Sequence, residues 1–435
     1  MSETVLVVGG GGREHAITRA LAPDADVYAL SSNRNPGIAA LAAGTETADE
    51  TDTDAIVDYA ESVGADAAVV GPEAALAAGV ADALNAAGVF TFGPTAEAAR
   101  IETDKAFQRE FMADNDIPGT PGFETFDDAA AAAEYVASVE EDVAVKPAGL
   151  TGGKGVRVTG DQVSHEEAAA YVRESDHNEW VIEERLVGEE FTVQAFVADG
   201  EVRPTPAVQD HKRAYEGDEG PNTGGMGSYS DAGPTLPFMT QAEYHDAVDV
   251  LEATVDALPD YTGVLYGQFM LTADGPKVVE FNARFGDPEA MNVLPVMETP
   301  LLDFVVAARA GEPLPEPRFD NRATVCKYAV PAGYPTDPDS GAEIAVDEST
   351  VDAAAAAHDG DALLFYASVD AREAGLFTTT SRSFAVVGVA DDIRTAEAIA
   401  SEALAAAGDG LRVREDIGTE ELVNSRVDHM ASLRD

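Results

Sequence analysis

Glycines and lysines crowd into the stretch AVKPAGLTGGKGVRVT, residues 144–159. A Walker-type phosphate loop requires Gly-Lys-Ser/Thr followed by a helix. Here Lys154 is followed by Gly155, and the next residues alternate like a strand. The pattern therefore predicts a strand–loop–strand hairpin whose backbone N–H groups cover nucleotide phosphates, with added charge from Lys146 and Lys154. The alternative is an ordinary hairpin turn.

Three polar side chains alternate along PKVVEFNARFGDPE, residues 276–289. Because side chains two positions apart on a strand share a face, Glu280, Asn282 and Arg284 should point the same way. Carboxylate and amide oxygens suit Mg²⁺, and an arginine beside the metal stabilises charge on a transferring phosphoryl group. The alternative is the exposed polar face of an edge strand. Together with the glycine-rich hairpin, the segment favours a nucleotide site.

A third segment, WVIEERLVGEEFTV (residues 180–193), places four glutamates around a short linker between two apolar strands. Backbone groups in such a crossover can bind the edge of an adenine, and a carboxylate can accept hydrogen bonds from ribose hydroxyls. Surface decoration in a very acidic chain is the alternative, above all for Glu189. The glutamates are Glu183, Glu184, Glu189 and Glu190.

The elements that must position these residues begin with a βαβ alternation in the amino-terminal region. This alternation predicts a doubly wound parallel sheet whose ligand edge lies at the carboxyl ends of its strands. Residues 9–13 and 71–73 emerge at that edge. The predicted strands cover residues 4–9, 26–31, 65–71 and 89–93, with helices near 54–62 and 75–87.

The rest of the chain mixes helices and strands and ends in a small α+β region, so the expected fold class is multidomain α/β. A polar loop is expected at 209–229. The predicted regions are 1–103, 104–200, 201–325 and 326–435. The predicted helices cover 105–115, 127–138, 241–257 and 392–407, and the predicted strands 264–271, 277–283, 323–330, 362–369 and 383–389.

The net charge is −53, from 80 acidic against 27 basic residues. A carboxylate-coated surface stays hydrated in concentrated salt, where self-repulsion is screened, so the composition predicts a halophilic source. The same charge opposes nucleic-acid binding, which requires basic side chains at the phosphates. Four of the six lysines lie in or beside the polar motifs, which indicates pockets for an anionic ligand; they are Lys105, Lys146, Lys154 and Lys212.

The sequence contains neither a secretion signal nor an apolar run of about 18 residues, the length that a membrane span requires. The single cysteine, Cys326, excludes an intrachain disulfide and fits a reducing compartment. We therefore expect a cytoplasmic protein with small-molecule partners and no membrane or nucleic-acid partner. No pattern encodes the oligomeric state, and a monomer is the simplest expectation.

The assembled motifs resemble the ATP-grasp ligases, and more narrowly the phosphoribosylamine–glycine ligase (glycinamide ribonucleotide synthetase) family of purine biosynthesis. GGREHA, QDHKR, GPNTGGMG and RFGDPE together are specific to that family, whereas the glycine hairpin occurs across the superfamily. The resemblance implies an N-terminal doubly wound parallel-sheet domain, a two-lobed ATP-grasp domain and a small C-terminal α+β domain. The matching stretches are residues 11–16, 70–80, 92–95, 105–107, 149–156, 183–190, 209–213, 220–230 and 280–289.

The implied reaction is an ATP-dependent carbon–nitrogen ligation. ATP phosphorylates the carboxylate of glycine, and the amine of 5-phosphoribosylamine attacks the resulting glycyl phosphate. The products are glycinamide ribonucleotide, ADP and phosphate, and the implied metal is Mg²⁺ or Mn²⁺. Because the acyl phosphate supplies the leaving group, catalysis consists of positioning and charge neutralisation.

Carried onto matching positions, the resemblance also implies site residues. The residues implied at the ATP phosphates are Lys105 and Lys146, with Gly152, Gly153, Lys154 and Gly155 covering the phosphates. Those implied at adenine are Glu183 and the backbone of Glu184 and Leu186, and Glu190 is implied at the ribose. At the metal they are Glu280, Asn282 and Gln268, the last a departure from many relatives. The implied catalytic residues are Lys146, Arg284 at the transferring phosphate and Asp287 near the amino group of glycine.

Phosphoribosylamine is implied between the amino-terminal glycine cluster and two segments of the third region, because glycine-lined backbone and arginine suit a phosphate monoester. His15 and His211 are candidate proton carriers, with a structural role as the alternative. The implied binding residues are Gly10, Gly11, Gly12, Arg13, Asp210, Lys212, Arg213, Thr223, Gly224, Gly225 and Asp287.

Ala148 departs from the family pattern, since relatives usually carry an aspartate there; any role of that carboxylate is therefore lost. The stretch after residue 326 matches only in general pattern, and no chemistry is assigned to it. Three rival functions remain open: another ATP-grasp carboxylate–amine ligase, a nucleotide sensor, and a dinucleotide-dependent dehydrogenase suggested by VLVVGGGGREHA. The last lacks an acidic residue at the end of the second strand, near residues 30–32.

Overall fold

A five-stranded parallel sheet forms the amino-terminal region of the computed structural model, which describes residues 2–149 and 155–435. Its strands are β1 (Glu3–Val8), β2 (Ala25–Ser31), β3 (Gly44–Thr47), β4 (Ala67–Val70) and β5 (Phe90–Phe92). The helices are α1 (Gly12–Leu21), α2 (Pro36–Leu41), α3 (Thr53–Val63), α4 (Glu73–Ala77), α5 (Val80–Ala86) and α6 (Arg100–Thr103). The strand order β3-β2-β1-β4-β5 changes direction at β1, which confirms the doubly wound sheet and puts its crevice beside residues 9–13 and 71–73.

Two local differences from the predicted elements have simple causes. The helix expected over 75–87 is divided because Gly79 adopts a left-handed conformation with φ of 81° between α4 and α5. Strand β3 was not expected, because GTET at this sheet edge contains no large apolar side chain and is mostly exposed.

A second sheet, with order β6-β9-β7-β8, carries the glycine-rich hairpin. Its strands are β6 (Phe123–Phe126), β7 (Val143–Pro147), β8 (Arg157–Val158) and β9 (Trp180–Glu184), and its helices are α7 (Lys105–Asp114), α8 (Ala129–Ser138) and α9 (His165–Glu174). Strands β7 and β8 pair antiparallel, with Ala144 opposite Val158, so the predicted hairpin is confirmed. Trp180 and Val145 pack against both α8 and α9 in a core of their own.

The chain then crosses at residues 185–188 into a second lobe, earlier than the predicted boundary at residue 200. Four antiparallel strands of this region form a sheet with the order β11-β10-β16-β17, on which α10 packs. The elements are β10 (Glu189–Ala198), β11 (Glu201–Pro204), β12 (Gln209–Asp210), β13 (Arg213–Tyr215), β14 (Glu219–Asn222), β15 (Gly227–Ser230), α10 (Gln241–Ala257), β16 (Gly263–Thr272), β17 (Gly275–Asn282), α11 (Ala290–Val293) and α12 (Leu301–Ala310). The polar loop expected at 209–229 therefore contains four short strands.

The carboxyl-terminal region is joined to this lobe through a shared sheet. Its elements are β18 (Ala323–Pro331), β19 (Glu343–Ile344), α13 (Glu348–Ala357), β20 (Gly360–Tyr366), β21 (Val369–Arg372), β22 (Gly375–Thr378), β23 (Phe384–Ala390), α14 (Ile393–Ala403), β24 (Leu411–Val413) and α15 (Glu420–Arg434). The order β12-β15-β18-β23-β20 adds two strands of the polar segment to the carboxyl-terminal sheet. The expected architecture of parallel-sheet domain, two-lobed middle and α+β end is confirmed. Within the described ranges, no helix has the length and apolar character needed to cross a membrane.

Candidate active site

Lys146 lies in a buried cluster of charges, formed with Arg109 and Glu183, that joins the two lobes. Its ammonium lies 2.7 Å from Glu183 Oε2, and Arg109 grips the same carboxylate with two bonds of 2.8 and 3.0 Å. Both cations also donate to the carbonyl of Val279 on β17, at 3.1 Å from Lys146 and 2.7 Å from Arg109. This interlobe ion cluster therefore attaches the hairpin lobe to the strand that carries Glu280.

The cluster changes the role assigned to Glu183. Its carboxylate was expected at adenine, but β9 turns the side chain inward, so that it contacts Arg109 and Lys146. Burial raises the pKa of Glu183, but the two cations outweigh burial and lower the net value. Burial lowers the pKa of Lys146, and the nearby carboxylates of Glu183 and Glu280 oppose that shift. Both carboxylate oxygens of Glu183 thus pair with cations, and its contact with adenine stays a prediction.

A second polar cluster covers one face of the sheet formed by β10, β16 and β17. Lys212 donates to Gln268 Oε1 and lies 3.5 Å from Glu280 Oε1, while Gln268 Nε2 donates to Glu190 Oε2 at 2.5 Å. Gln268 and Glu280 are opposite one another in the β16–β17 ladder. The sequence motifs that contain these four residues are therefore assembled on one surface.

Glu280 is an ionised carboxylate surrounded by cations. Burial raises its pKa, but Lys212, Lys105, Lys146 and Arg284 outweigh burial and bring it to about 2. Burial lowers the pKa of Lys212, yet the surrounding carboxylates raise the net value to about 12. The surface that these residues form is thus permanently charged at neutral pH and suits an anionic ligand with a bound cation.

Arg284 connects the metal-ligand candidate Asn282 to the first domain. Its Nη2 donates to Asn282 Oδ1 at 3.0 Å and lies 2.8 Å from Glu102 Oε1, while Nε is 3.5 Å from Glu73. Burial lowers the pKa of Arg284, but the two glutamates outweigh it and raise the net value. Sequence reasoning missed Glu102, since its partners are far away along the chain.

Of the three side chains predicted to bind the metal, Glu280 and Asn282 suit a divalent cation and Gln268 does not. Glu280 supplies an ionised carboxylate and Asn282 an amide oxygen, a set that suits a hard cation completed by phosphate and water. Gln268 accepts from Lys212 through Oε1 and donates to Glu190 through Nε2, which favours a positioning role over metal ligation. In the described part of the chain, no group of three or more histidine, cysteine or carboxylate side chains is arranged to hold a metal alone.

The other residues expected to contact the nucleotide have the following partners. Lys105 Nζ donates to the carbonyl of Gly149 at 3.3 Å, and the carbonyl of Gly155 accepts from Tyr171 at 3.0 Å. The Glu184 side chain is exposed and accepts from the backbone of Gly122 at 2.9 Å, and Leu186 in the crossover is half-buried. Gly152, Gly153 and Lys154 lie outside the described residues.

Asp287 is held at both carboxylate oxygens by the carboxyl-terminal region. Tyr328 donates to Oδ1 at 2.6 Å, and Arg382 Nη2 lies 3.1 Å from Oδ2. Nη1 of the same arginine donates to the carbonyls of Gly224, Gly225 and Asp287, at 2.5, 3.0 and 3.1 Å. Arg382 thus ties Asp287 to the glycine loop (Thr223, Gly224 and Gly225), although no local motif marked Arg382 or Tyr328.

The amino-terminal glycine cluster faces the same group. A Cβ atom at Gly12 would collide with the Tyr328 hydroxyl, and one at Gly11 would lie 3.7 Å from Asp287 Oδ2. Asn35 Nδ2 donates to the carbonyl of Gly10 at 3.0 Å, and Arg13 is paired with Glu14 at 2.5 Å. The absence of side chains therefore lets the first domain approach Asp287 closely.

The remaining predicted substrate residues surround the glycine loop. Thr223 Oγ1 donates to the carbonyl of Lys212 at 2.8 Å and accepts from Gly225 N at 3.0 Å. Arg213 Nη2 donates to Asp161 of the hairpin lobe at 3.0 Å, so in this conformation it links the lobes. Asp210 lies on β12 beside Gly225.

The two histidines considered as proton carriers, His15 and His211, are buried. Burial is the main cause that lowers the pKa of His15 to about 4 and of His211 to about 3. His15 packs against the rings of Phe365 and Tyr366, with centroids 5.3 and 6.4 Å away. Both imidazoles are therefore neutral at pH 7, which favours the structural alternative for each.

These two lobes, with Lys146 of one lobe bonded to the strand that carries Glu280 and Asn282 in the other, define an ATP-grasp ligase. Enzymes of this class use ATP together with divalent metal ions. The chain matches the family "Phosphoribosylglycinamide synthetase" in three parts: the N domain at residues 3–102, the ATP-grasp (A) domain at 103–290 and the C domain at 324–420.

Similar proteins agree with this match. The phosphoribosylamine–glycine ligase of Methanococcoides burtonii is 51% identical, covering 99% of both chains, and that of Methanothermobacter thermautotrophicus is 49% identical with the same coverage. The crystal structure of the Thermotoga maritima enzyme of that name superposes with a TM-score of 0.78 at 25% identity, covering 95% of this chain and 99% of the other. The chain belongs to the phosphoribosylamine–glycine ligase family, and it is an ATP-dependent ligase of purine biosynthesis.

The fold extends to more distant proteins. The biotin carboxylase domain of Hydrogenobacter thermophilus 2-oxoglutarate carboxylase, solved with MgADP, superposes with a TM-score of 0.72 at 15% identity, covering 99% of this chain and 94% of that one. At this identity the likeness concerns the fold alone.

Proposed function

We propose that this chain joins glycine to 5-phosphoribosylamine at the expense of ATP, by way of glycyl phosphate, with the site residues in the roles given below. The convergence of Lys146 on β17 carries the proposal: its Nζ bonds the carbonyl of Val279, the residue before Glu280, at 3.1 Å. This contact brings the proposed phosphate-binding lysine beside the strand that carries the proposed metal-binding carboxylate. The names of relatives about half identical to this chain support the choice of substrates.

In the activating step, the protein neutralises the triphosphate and aligns the carboxylate of glycine. Lys105 and Lys146 bind phosphate oxygens, and Arg284 stabilises the charge on the transferring phosphoryl group. Adenine lies against the backbone at Glu184 and Leu186, and Glu190 accepts from the ribose. No protein nucleophile takes part, because the carboxylate of glycine attacks ATP itself. The proposed phosphate-covering residues are Gly152, Gly153, Lys154 and Gly155.

Glu280 and Asn282 would hold the divalent cation. A bound cation would supply positive charge that stabilises the charge developing on the transferring phosphate. We favour Mg²⁺, because carboxylate and amide oxygens are the hard donors that it prefers; Mn²⁺ accepts the same donors. Gln268 holds Lys212 and Glu190 beside this position.

The ligation step uses the other side of the cleft. Asp287, fixed by Tyr328 and Arg382, binds the amino group of glycine and keeps its carbonyl directed toward the second substrate. The phosphate monoester of phosphoribosylamine binds where backbone N–H groups and cations converge. The proposed contacts are Gly10, Gly11, Gly12, Arg13, Asp210, Lys212, Arg213, Thr223, Gly224 and Gly225.

Release of ADP tests this function when each substrate is omitted in turn. At molar salt, we expect release only when ATP, glycine, phosphoribosylamine and Mg²⁺ are all present, with glycinamide ribonucleotide formed in equal amount. Stimulation by a different amino acid or amine would assign the chain to another ATP-grasp ligase. We further propose a cytoplasmic monomer of halophilic origin; the free Cys326 and the net charge of −53 support the compartment and the origin.

A further inference from the structure

The proposed ligation leaves one proton without an acceptor, because the attacking amine must lose it as the carbon–nitrogen bond forms. We propose that the carboxylate of Asp210 accepts this proton. The inference rests on the proposed function and gives one of the proposed binding residues a specific role as proton acceptor.

The other titratable groups around the glycine loop are already engaged or are weak bases. Both oxygens of Asp287 accept hydrogen bonds, from Tyr328 at 2.6 Å and from Arg382 at 3.1 Å. Glu289 is buried and accepts from the Tyr266 hydroxyl at 2.8 Å. Burial lowers the pKa of His211 to about 3, which makes its imidazole a poor proton acceptor.

Asp210 differs because its buried Oδ1 has no hydrogen-bond partner within residues 2–149 and 155–435. Its backbone is fixed by pairing with Ser228 in the β12–β15 ladder. A Cβ atom at Gly225 would lie 2.7 Å from both Asp210 Oδ1 and Pro288 Cδ, so only glycine admits this approach. Asp210 Oδ1 and the segment that carries Asp287 therefore approach the same glycine of the loop.

The surrounding charges tune this carboxylate toward proton acceptance. Burial raises the pKa of Asp210 well above its ordinary value, Glu289 and Glu190 add to the rise, and Lys212 and Arg382 oppose it. An acceptor is most effective when its pKa approaches the working pH. Asp210 thus combines a raised pKa with an unpartnered oxygen, which together suit it to accept a proton.

The step balances as follows. The nitrogen lone pair of phosphoribosylamine forms a bond to the carbonyl carbon of glycyl phosphate, and the carbon–oxygen bond to the phosphate breaks. Phosphate leaves with that electron pair, and the surplus N–H proton moves to the Asp210 carboxylate. Solvent then removes this proton after the products leave.

The test compares two nucleophiles in Asp210→Asn, which preserves shape but removes the acceptor. Hydroxylamine attacks acyl phosphates without a protein base, so glycine hydroxamate reports activation of glycine alone. We expect glycinamide ribonucleotide formation to fall by about 100-fold or more, the usual contribution of general-base catalysis, with hydroxamate formation within about threefold of the parent enzyme. Asp210→Glu should recover part of the ligation, and the parent kcat should rise with pH along a limb that Asp210→Asn lacks. Asp246→Asn, an exposed carboxylate on α10, is the matched control.

Three results would overturn the assignment: unchanged ligation, equal loss of ligation and hydroxamate formation, or a rise confined to the KM for phosphoribosylamine. The last two would make Asp210 a structural or binding residue. Failure of the proposed function is recognised separately, because the parent enzyme would then form no hydroxamate that depends on both glycine and ATP.

Discussion

Glu183 holds the ammonium of Lys146 at 2.7 Å, and the same lysine reaches across to the carbonyl of Val279 on the opposite lobe. Arg109 Nε donates to the other oxygen of the Glu183 carboxylate, Oε1, at 2.8 Å. The ammonium of Lys146, which we propose to bind phosphate, is therefore held in a fixed direction by protein groups. Its direction is set by a buried carboxylate on the adjacent strand, so binding energy is not used to order it.

Replacing Glu183 with glutamine should damage both stability and ATP binding. Two buried cations would lose their shared counter-charge, and breaking a buried pair in this way costs about 3–5 kcal/mol. We expect the denaturant midpoint at high salt to fall accordingly and the KM for ATP to rise. Glu174→Gln on the exposed face of α9 should change neither quantity, and a stable Glu183→Gln protein with an ordinary KM for ATP would contradict the positioning role.

Glu280→Gln should remove the metal-dependent step. Because the pKa of Glu280 is held at about 2, the carboxylate is charged throughout the neutral range and its loss removes a full ligand charge. We expect ADP formation to fall by about 100-fold or more, without recovery at high Mg²⁺. Mn²⁺ binding, followed by electron paramagnetic resonance with nucleotide present, should weaken in parallel. Activity that returns at saturating metal would remove Glu280 from the ligand set, and Glu252→Gln on α10 provides an exposed control.

Arg382→Ala should act on glycine more than on ATP. The substitution frees Asp287 Oδ2 and removes three bonds to backbone carbonyls of the glycine loop and of Asp287. We expect the KM for glycine to rise about tenfold or more, with the KM for ATP nearly unchanged and with partial recovery in Arg382→Lys. Equal changes in both KM values would indicate general loosening of the fold, which Arg394→Ala, an exposed residue of α14, should not produce.

Asp218 should make stability depend on pH in the acid range. Its carboxylate pairs with Arg414 at 2.7 Å and with Arg426 of the last helix. Burial raises the pKa of Asp218, but the charges of Arg426 and Arg414 and the hydrogen bond from Arg426 outweigh burial and lower the net value below the ordinary one. A depressed pKa stabilises the fold above the unfolded-state value of 3.8 and loses that contribution as pH falls.

The comparison of parent and Asp218→Asn proteins measures this contribution. We expect a difference in unfolding free energy of roughly 1–2 kcal/mol at pH 6 that shrinks steadily below pH 4. A difference that stays constant down to pH 2 would show that the carboxylate charge is irrelevant.

Salt should control the stability of the whole chain. At a net charge of −53, self-repulsion among surface carboxylates is screened only when the Debye length is a few ångströms. We expect the unfolding midpoint to fall steeply as KCl is lowered from molar to millimolar concentration. Equal stability in dilute buffer would refute the halophilic origin.

Local sequence patterns predicted the framework of this protein well. The helix expected at 241–257 has those bounds in the structure, as α10 (Gln241–Ala257), and the predicted strands at 4–9 and 26–31 correspond closely to β1 and β2. These elements are periodic and apolar, so their identity is encoded within a short window. The carboxyl-terminal helix α15 was missed, because its one buried stripe is interrupted by polar residues.

Partners that lie far apart in sequence could not be predicted in this way. Arg109 and Glu183, or Arg382 and Asp287, meet only after the sheets have formed, and neither arginine belongs to a recognisable motif. The contacts of Glu183 could not be predicted from its motif either. Its motif predicted a site residue, but only the inward turn of β9 revealed that the side chain faces a lysine.

The shared sheet makes the end of the chain inseparable from its middle. Strand β15 pairs with β18 through four consecutive residue pairs. A chain that ended before Ala323 would therefore leave the backbone groups at the edge of β15 unpaired. It would also lack Tyr328 and Arg382, the two residues that hold the Asp287 carboxylate. Grafting a foreign tail onto this ligase would therefore require transplanting β12 and β15 as well. The sheet that contains β12, β15, β18, β23 and β20 would therefore have to be exchanged as a whole, although its strands come from two separate parts of the chain.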